Sequence, residues 1–286
     1  MKVRRAVIVA AGWGTRFLPA TRSVPKEMLP LVDKPLIQYA VEEAINSGIE
    51  QIIMVTAMGK RAIEDYFDRC FELEHFLERK GDGGRLQQMQ ELSRLVDIGY
   101  IRQKEQMGLG HAILTTKGMV GDEPFAVMLP DDIIDSEVPT LKRMIEVYQQ
   151  HQGSVVAVEG VGEADTTRYG IIEPRQVADG IYQVLSIVEK PEPARAPSRL
   201  GVVGRYILTP QIFDALAVTP PGKGQEIQLT DAIQLLIEQQ EVYACELEGE
   251  RYDTGNPLGW LKANIAFALK RDDIAAGLRE YLKSLR

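Results

Sequence analysis

Short apolar runs of strand length recur through the first half of the chain, at Ala6–Ala11, Gln51–Thr56, Ile98–Arg102 and Phe125–Leu129. Each is followed by glycine, proline or a stretch of helical periodicity, and this alternation predicts a parallel sheet with helical crossovers. Between the first two runs, Pro35 is placed to open a helix over Leu36–Ser47. Its residues Leu36, Ala40, Val41, Ala44 and Ile45 recur on one face, and Gly48 ends it. The result is a βαβ unit. The segment Arg69–Leu95 breaks the pattern: it is richer in charge, carries Gly-Asp-Gly-Gly at Gly81–Gly84 and is expected as an exposed insertion outside the core layers.

Beyond Gln150 the spacing tightens and the arrangement becomes more mixed. Strands are expected at Ser154–Val161, Ile181–Lys190 and Gly201–Leu208, and helices at Thr230–Gln239 and Pro257–Lys270. The tail Asp272–Leu285 sets Ile274, Leu278, Leu282 and Leu285 near one helical face, which needs an apolar neighbour on its own core or on another subunit. No internal repeat, low-complexity tract or run of about 18 apolar residues is present.

Composition narrows the classes. At 45% hydrophobic and 26% charged residues, the 286-residue chain can build a substantial core without disulfides or structural metals. A net charge of −8 disfavours a general nucleic-acid or anionic-membrane surface, so phosphate binding must be organised locally. Cys70 and Cys245 lie far apart without metal-ligand spacing, which fits a reducing, cytoplasmic setting. The basic start and short apolar run MKVRRAVIVAAG lack the length of a secretory signal core and lead straight into a glycine loop. They read as a buried first strand.

That strand opens into Gly12-Trp13-Gly14-Thr15-Arg16, bringing backbone amides with little side-chain bulk to a strand's carboxyl end, where α/β sheets bind ligands. The third glycine of a dinucleotide fingerprint would fall at Phe17, with Pro19 following, and no Gly-Lys-Ser/Thr stands at Walker spacing. A dehydrogenase reading is therefore weak, and a P-loop reading fails. Taken alone, the loop also reads as a structural turn. Arg16 and Lys26, in Pro25-Lys26-Glu27-Met28-Leu29-Pro30, supply cations for phosphates beside its amides.

The stretch GWGTRFLPATRSVPKEMLPLVDKPLIQY strongly resembles the N-terminal signature of bacterial UTP:glucose-1-phosphate uridylyltransferases. The resemblance continues in order through RQKEQMGLGHA, LPDD, RYGIIE, VEKP, VVGRYIL, EIQLTDAI and YDTGNPLGWLKAN. It implies an α/β fold with a Rossmann-like α/β/α nucleotidyltransferase core, a mixed sheet and additional strands around a sugar site. The expected organisation is a single domain over 1–286. Within it, 1–150 mainly bind nucleotide, 151–271 mainly bind sugar phosphate, and 272–286 form a C-terminal helix.

By the same likeness the backbone at Ala10, Ala11 and Gly12 meets the nucleoside, and Gly14, Thr15, Arg16 and Lys26 serve the triphosphate. Glu27, Gln103 and Gly108 match positions around uracil. Uracil's edge offers acceptor, donor and acceptor in turn, which a glutamine amide with backbone groups can satisfy. Asp131 and Asp132 end the apolar run FAVMLPDD, where they read as a cation site or as turn and cap residues. The likeness pairs Asp131 with distant Asp253 as the ligands of Mg2+, a hard ion suited to oxygen donors. For Asp132 the sequence leaves two roles open, approach to the sugar or support of the loop.

Gly170, Glu189, Lys190 and Gly204 match the family's sugar-phosphate site: Glu189 for hydroxyls, Lys190 for phosphate and the glycines for close approach. His75, His111 and His151 show no metal spacing and are expected to serve packing, capping or solvent contact, since nucleotidyl transfer needs little covalent protein chemistry. The resemblance implies direct attack by glucose 1-phosphate on UTP, with UDP-glucose and pyrophosphate as products. Arg16, Lys26, Asp131, Lys190 and Asp253 carry the catalysis. The rivals are a dTTP-dependent thymidylyltransferase and a noncatalytic nucleotide-sugar sensor. The expected partners are those small molecules and further copies of the chain, as a homodimer or homotetramer, without nucleic acid or membrane. Arg22-Ser23 departs from the Lys-Ala of many family members, keeping charge but changing hydrogen-bond geometry.

Overall fold

A computed structural model describes residues 1–285. The chain runs β1 (Arg5–Val9), β2 (Pro30–Leu31), β3 (Lys34–Pro35), α1 (Leu36–Asn46), β4 (Gln51–Thr56), α2 (Arg61–Phe67), α3 (Phe71–Lys80), α4 (Gly83–Leu92), β5 (Asp97–Arg102), α5 (Gly108–Leu114), α6 (Lys117–Val120), β6 (Phe125–Met128), β7 (Asp132–Asp135) and α7 (Thr140–His151). It continues with β8 (Ser154–Gly160), β9 (Gly170–Ala178), β10 (Ile181–Glu189), β11 (Leu200–Leu208), α8 (Ile212–Val218), α9 (Leu229–Ile237), β12 (Val242–Glu246), β13 (Glu250–Asp253), α10 (Pro257–Ala268) and α11 (Ala275–Ser284).

Alternate residues of the central strands enter opposite cores, as the two-residue pleat requires. Val7, Val55 and Val127 pack with Ala112 and Ile113 of α5, Phe213 and Leu216 of α8, and Ile233 and Leu236 of α9. Ala6, Ile8, Met54 and Met128 face the other way, onto Ile37, Ala40 and Val41 of α1 and Leu141, Met144 and Tyr148 of α7. Helices thus cover both faces, the α/β/α layering that the family resemblance implies.

The described residues form a nine-stranded sheet in the order β5-β4-β1-β6-β11-β8-β12-β10-β9. β5, β4, β1 and β6 are mutually parallel, whereas β11 runs antiparallel to both β6 and β8. The sheet is therefore mixed beyond β6. Two of its strands, β9 and β12, were not expected. β12 is only five residues long, and β9 contains Pro174, which lowers strand propensity but is tolerated in a strand at the end of the sheet order.

A two-stranded ribbon of β7 and β13 stands apart from this sheet, in antiparallel register with Tyr252 opposite Ile133 and Asp253 opposite Asp132. Ile133 and Tyr252 face a small core with Leu31, Leu36 and Ala263, so the pleat turns Asp132 and Asp253 to the opposite side. The 69–95 segment folds as the helix pair α3 and α4, with Leu77 buried and Phe71 and Phe76 exposed. The tail helix starts at Ala275, three residues later than expected, and leaves Leu285 exposed. Among the described residues, no helix is long and apolar enough to cross a membrane.

Candidate active site

The crossover after β1 leads away to β4, while β6 joins β1 from the other side. Between the carboxyl ends of β1 and β6 lies the point where the strand order reverses, the place where open α/β sheets form a ligand crevice. The glycine loop follows β1, and Asp131 follows β6. A cavity of about 620 Å³ opens there, with Gly12, Gly14, Arg16 and Lys26 on one side and Gln103 and Gly108 on the other. A second cavity of about 480 Å³ holds Gly170, Glu189, Lys190, Gly204 and Asp253. Arg16, Leu109, Leu129, Asp131 and Glu226 line both, so the two spaces meet at a common wall.

At that wall Lys26 Nζ lies 2.5 Å from Asp131 Oδ2. Burial opposes charge on either group, but their mutual attraction and hydrogen bond outweigh it, with Glu27 also raising Lys26 and Arg16 also lowering Asp131. Lys26 is consequently held above its ordinary pKa and Asp131 below, and the pair stays ionised. The Asp131 carbonyl accepts from Thr254 N at 2.8 Å and Thr254 Oγ1 at 2.7 Å, fastening β13's end to the loop after β6.

Asp253 lies across the same opening. Its Oδ1 accepts from Gly255 N at 3.0 Å and its Oδ2 from Arg168 Nη2 at 2.8 Å. A side-chain carbon on Gly255 would sit 2.9 Å from Asp131 Oδ2 and 3.1 Å from Asp253 Oδ1. Both carboxylates therefore border one small space that glycine keeps open. No group of three or more His, Cys, Asp or Glu among the described residues is arranged to hold a metal. Two carboxylates facing one gap suit a hard cation that completes its shell with phosphate oxygens and water.

Asp132 has both oxygens engaged: Oδ2 accepts from Gly204 N at 2.9 Å and Oδ1 pairs with Arg251. Of its two open roles, the geometry favours loop support. Arg251 also pairs with Glu159 and donates to Tyr169 Oη at 2.7 Å, tying β13, β8 and the start of β9 together. Arg205, 1% exposed, donates to the carbonyls of Leu129, Gly204 and Asp132 and pairs with Glu43 at 2.8 Å, fixing the loop that carries Asp131. Sequence reasoning missed both arginines; their only signal was their place beside the Asp253 and Gly204 motifs.

Gln103 donates from Nε2 to the Gly108 carbonyl at 3.0 Å, and the same nitrogen lies 3.0 Å from His111 Nδ1. Gly108 has φ +90°, and a Cβ there would come within 2.6 Å of Glu226 Cβ, so only glycine fits this wall. Gln106, also missed, reaches from this side to donate to the Ala11 carbonyl at 2.9 Å. His151 stacks on Tyr243, and His75 lies 3.9 Å from Glu78, consistent with packing and surface roles. Arg22 and Ser23 line a third cavity of about 420 Å³ bordered by Gly12, Trp13 and Lys60, away from the shared wall.

Two expected nucleotide contacts do not front the cavity. Ala10 is fully buried, and its amide donates to the Val55 carbonyl at 2.8 Å, within the sheet. Glu27 is 1% exposed and lies 2.7 Å from Lys60, while its Oε1 has no partner among the described residues. Burial pushes the Glu27 carboxyl up despite Lys60 and Lys26. Glu27 thus supports the loop from beneath, because its short helical turn points inward. Glu27→Ala is expected to lower unfolding free energy by about 3–5 kcal/mol, the scale for stranding one member of a buried pair. Denaturant titration measures that loss, and the folded fraction should keep its ranking of nucleotides.

Comparison with known proteins adds to this geometry. A nucleotidyl transferase family model matches residues 5–269. The UTP–glucose-1-phosphate uridylyltransferase of Staphylococcus epidermidis is 52% identical over 284 residues, covering 99% of each chain. A structure of UTP-bound UGPase from Acinetobacter baumannii superposes with TM-score 0.92 at 40% identity, over 99% of this chain and all of that one. A UDP-glucose pyrophosphorylase complexed with UDP-glucose gives TM-score 0.87 at 44% identity, over 94% of this chain and all of that one.

Proposed function

The chain belongs to the nucleotidyl transferase family, and from that membership we propose that it transfers a uridylyl group from UTP to α-D-glucose 1-phosphate, giving UDP-glucose and pyrophosphate. The observation that carries the reading is the shared wall: a cavity behind the glycine loop and a cavity around Glu189 and Lys190 meet at Arg16 and Asp131. Two anionic substrates placed in these spaces face each other there. A phosphate oxygen of the sugar 1-phosphate forms a bond to the α-phosphorus of UTP, and the bond to the bridging oxygen breaks as pyrophosphate leaves. No protein nucleophile is required.

In this reading Arg16 and Lys26 neutralise the triphosphate beside the amides of Gly12, Gly14 and Thr15. Gln103, with its amide nitrogen on the Gly108 carbonyl, offers its side-chain oxygen to the uracil N3–H. Ala11, Gly12 and Gly108 supply backbone around the nucleoside. Glu189 accepts sugar hydroxyls, Lys190 receives the sugar phosphate, and Gly170 and Gly204 allow close approach. Lys190 Nζ lies 2.7 Å from Glu189 Oε1, so the two side chains already share one side of the cavity. Asp131 and Asp253 would hold Mg2+, which when bound spreads and offsets phosphate charge.

The uridylyl reading stands ahead of thymidylyl transfer because a full-length relative at 52% identity bears the uridylyltransferase name. A noncatalytic sensor is disfavoured because the cations and carboxylates that transfer needs, Arg16, Lys26, Asp131, Lys190 and Asp253, are all present in the two cavities. Assembly as a homodimer or homotetramer is part of the proposal, supported by the exposed Leu258, Leu261 and Ile265 on one face of α10.

A pyrophosphate-release assay tests the function by crossing UTP, dTTP, CTP, GTP and ATP with glucose, galactose and N-acetylglucosamine 1-phosphates. UTP with glucose 1-phosphate is expected to give the highest kcat/KM, and a clear preference for dTTP would overturn the reading. Lys190→Ala is expected to raise KM for glucose 1-phosphate about 10- to 100-fold, from loss of a charged hydrogen bond typically worth about 1.5–3 kcal/mol. KM for UTP should move much less. Normal sugar-phosphate dependence with impaired UTP binding would place Lys190 elsewhere.

A further inference from the structure

Arg168 is a cation at the sugar-side cavity that the site described above leaves without a task. It closes the helical turn Glu163–Arg168, which Tyr169 joins to β9, and its side chain is half exposed. The guanidinium lies 5.6 Å from the Tyr169 ring centre, with Nη1 3.2 Å from Asp165 Oδ1 and Nη2 2.8 Å from Asp253 Oδ2. Lys190 N donates to the Tyr169 carbonyl at 3.0 Å, so the backbone next to Arg168 is joined to the backbone of the proposed phosphate-binding lysine. Both residues line the same cavity.

The carboxylate that Arg168 holds is one of the two that border the gap beside Gly255. A divalent cation in that gap and the Arg168 guanidinium compete for the same charge and repel each other. An incoming phosphate monoester is the complementary group: its oxygens match the planar donor fork of arginine, and a bidentate pair adds a second charged hydrogen bond to the single one that Arg168 makes with Asp253. Half exposure leaves the long side chain free to move between the two acceptors.

Resting on the functional reading above, we propose that Arg168 binds the phosphate of the sugar 1-phosphate, and that in the ligand-free protein it is parked on Asp253 until that carboxylate takes a divalent cation. The arginine then has two effects of opposite sign. It opposes cation binding in the empty site, and it favours sugar-phosphate binding in the loaded one. A residue that merely positioned Asp253 would assist both steps, because a disordered carboxylate binds the cation less well.

The test uses the intact chain and its Arg168→Ala and Arg168→Lys variants, with thermal unfolding first showing that the half-exposed replacement leaves the fold unchanged. Mn2+ binding to the nucleotide-free protein is read by electron paramagnetic resonance, and the Mg2+ concentration for half-maximal activity is measured beside it. Arg168→Ala should bind Mn2+ about two- to fivefold more tightly, the scale of losing one exposed ion-pair competitor. Its KM for glucose 1-phosphate should rise about 10- to 100-fold, with KM for UTP nearly unchanged. Arg168→Lys should recover part of the sugar-phosphate defect, because it keeps charge without the fork. Weaker cation binding in Arg168→Ala, or an unchanged KM for glucose 1-phosphate, would overturn the proposal. Failure of the wild-type chain to make UDP-glucose would instead overturn the functional reading.

Discussion

Lys26→Met is expected to lower kcat/KM for UTP about 10²–10³-fold, the scale for losing one preorganised group that stabilises charge in the transition state. Methionine keeps much of the lysine stem's bulk, so the glycine loop retains its packing. Lys26 carbon atoms lie 3.1–3.7 Å from the positions that side chains on Gly12 and Gly14 would occupy, which places the stem directly under the loop. What is lost is the ammonium, held 2.5 Å from Asp131. Because Lys26 sits beside the loop amides, its charge is poised for the triphosphate, and Arg16, the other cation lining the same cavity, is left to carry the phosphate charge alone. Extra Mg2+ should therefore fail to restore activity. Steady-state kinetics across UTP and Mg2+ concentrations check this; recovery of more than half the lost turnover at high Mg2+ would show that Lys26 acts only by adjusting the cation site.

The parallel half of the sheet was legible because its strands are apolar runs bounded by glycine or helix, and β1, β4 and β6 are buried along most of their length. Gln51–Thr56 was read to the residue, and Phe125–Met128 to within one. β12 was not legible: its five residues Val242–Glu246 gain their place from pairing with Ser154–Val158, nearly ninety positions earlier. Local periodicity carries no record of such a partner. The ribbon of β7 and β13 was missed for the same reason, although each strand ends or begins at a quoted aspartate.

The site shows the same division. The glycine loop and Gly108 were read as nucleotide contacts only through the family resemblance, since spacing alone also fitted a structural turn. The burial of Glu27 was not legible, because a glutamate between Lys26 and Met28 gives no sign that its turn faces inward onto Lys60. Arg205 and Arg251 went unread because a buried arginine differs from a surface one only in its partners, and those come from α1, β7 and β8. The resemblance supplied the groups proposed to meet the substrates, and folding supplied the groups that hold them in place.

Asp131 and Asp253 provide the sharpest test of that arrangement, since they are far apart in the chain and the β7–β13 register, with the Thr254 hydrogen bonds to the Asp131 carbonyl, sets them across one gap. Replacing either by asparagine preserves size and removes charge, and each single variant is expected to lose about 10²–10³-fold in turnover. Both should remain folded, because the ribbon is anchored by Ile133 and Tyr252 in their own small core. Asp253→Asn would also release Arg168, whereas Asp131→Asn would release Lys26, so their effects in the ligand-free protein differ. Their effects on turnover converge if one cation joins them. The double variant should then cost far less than the product of the single defects, as groups that act as a unit do. Excess Mg2+ should restore part of each single loss and little of the double. Turnover close to wild type in either folded single variant at limiting Mg2+ would remove the two-carboxylate cation site, and a fully multiplicative double variant would assign the aspartates to separate tasks.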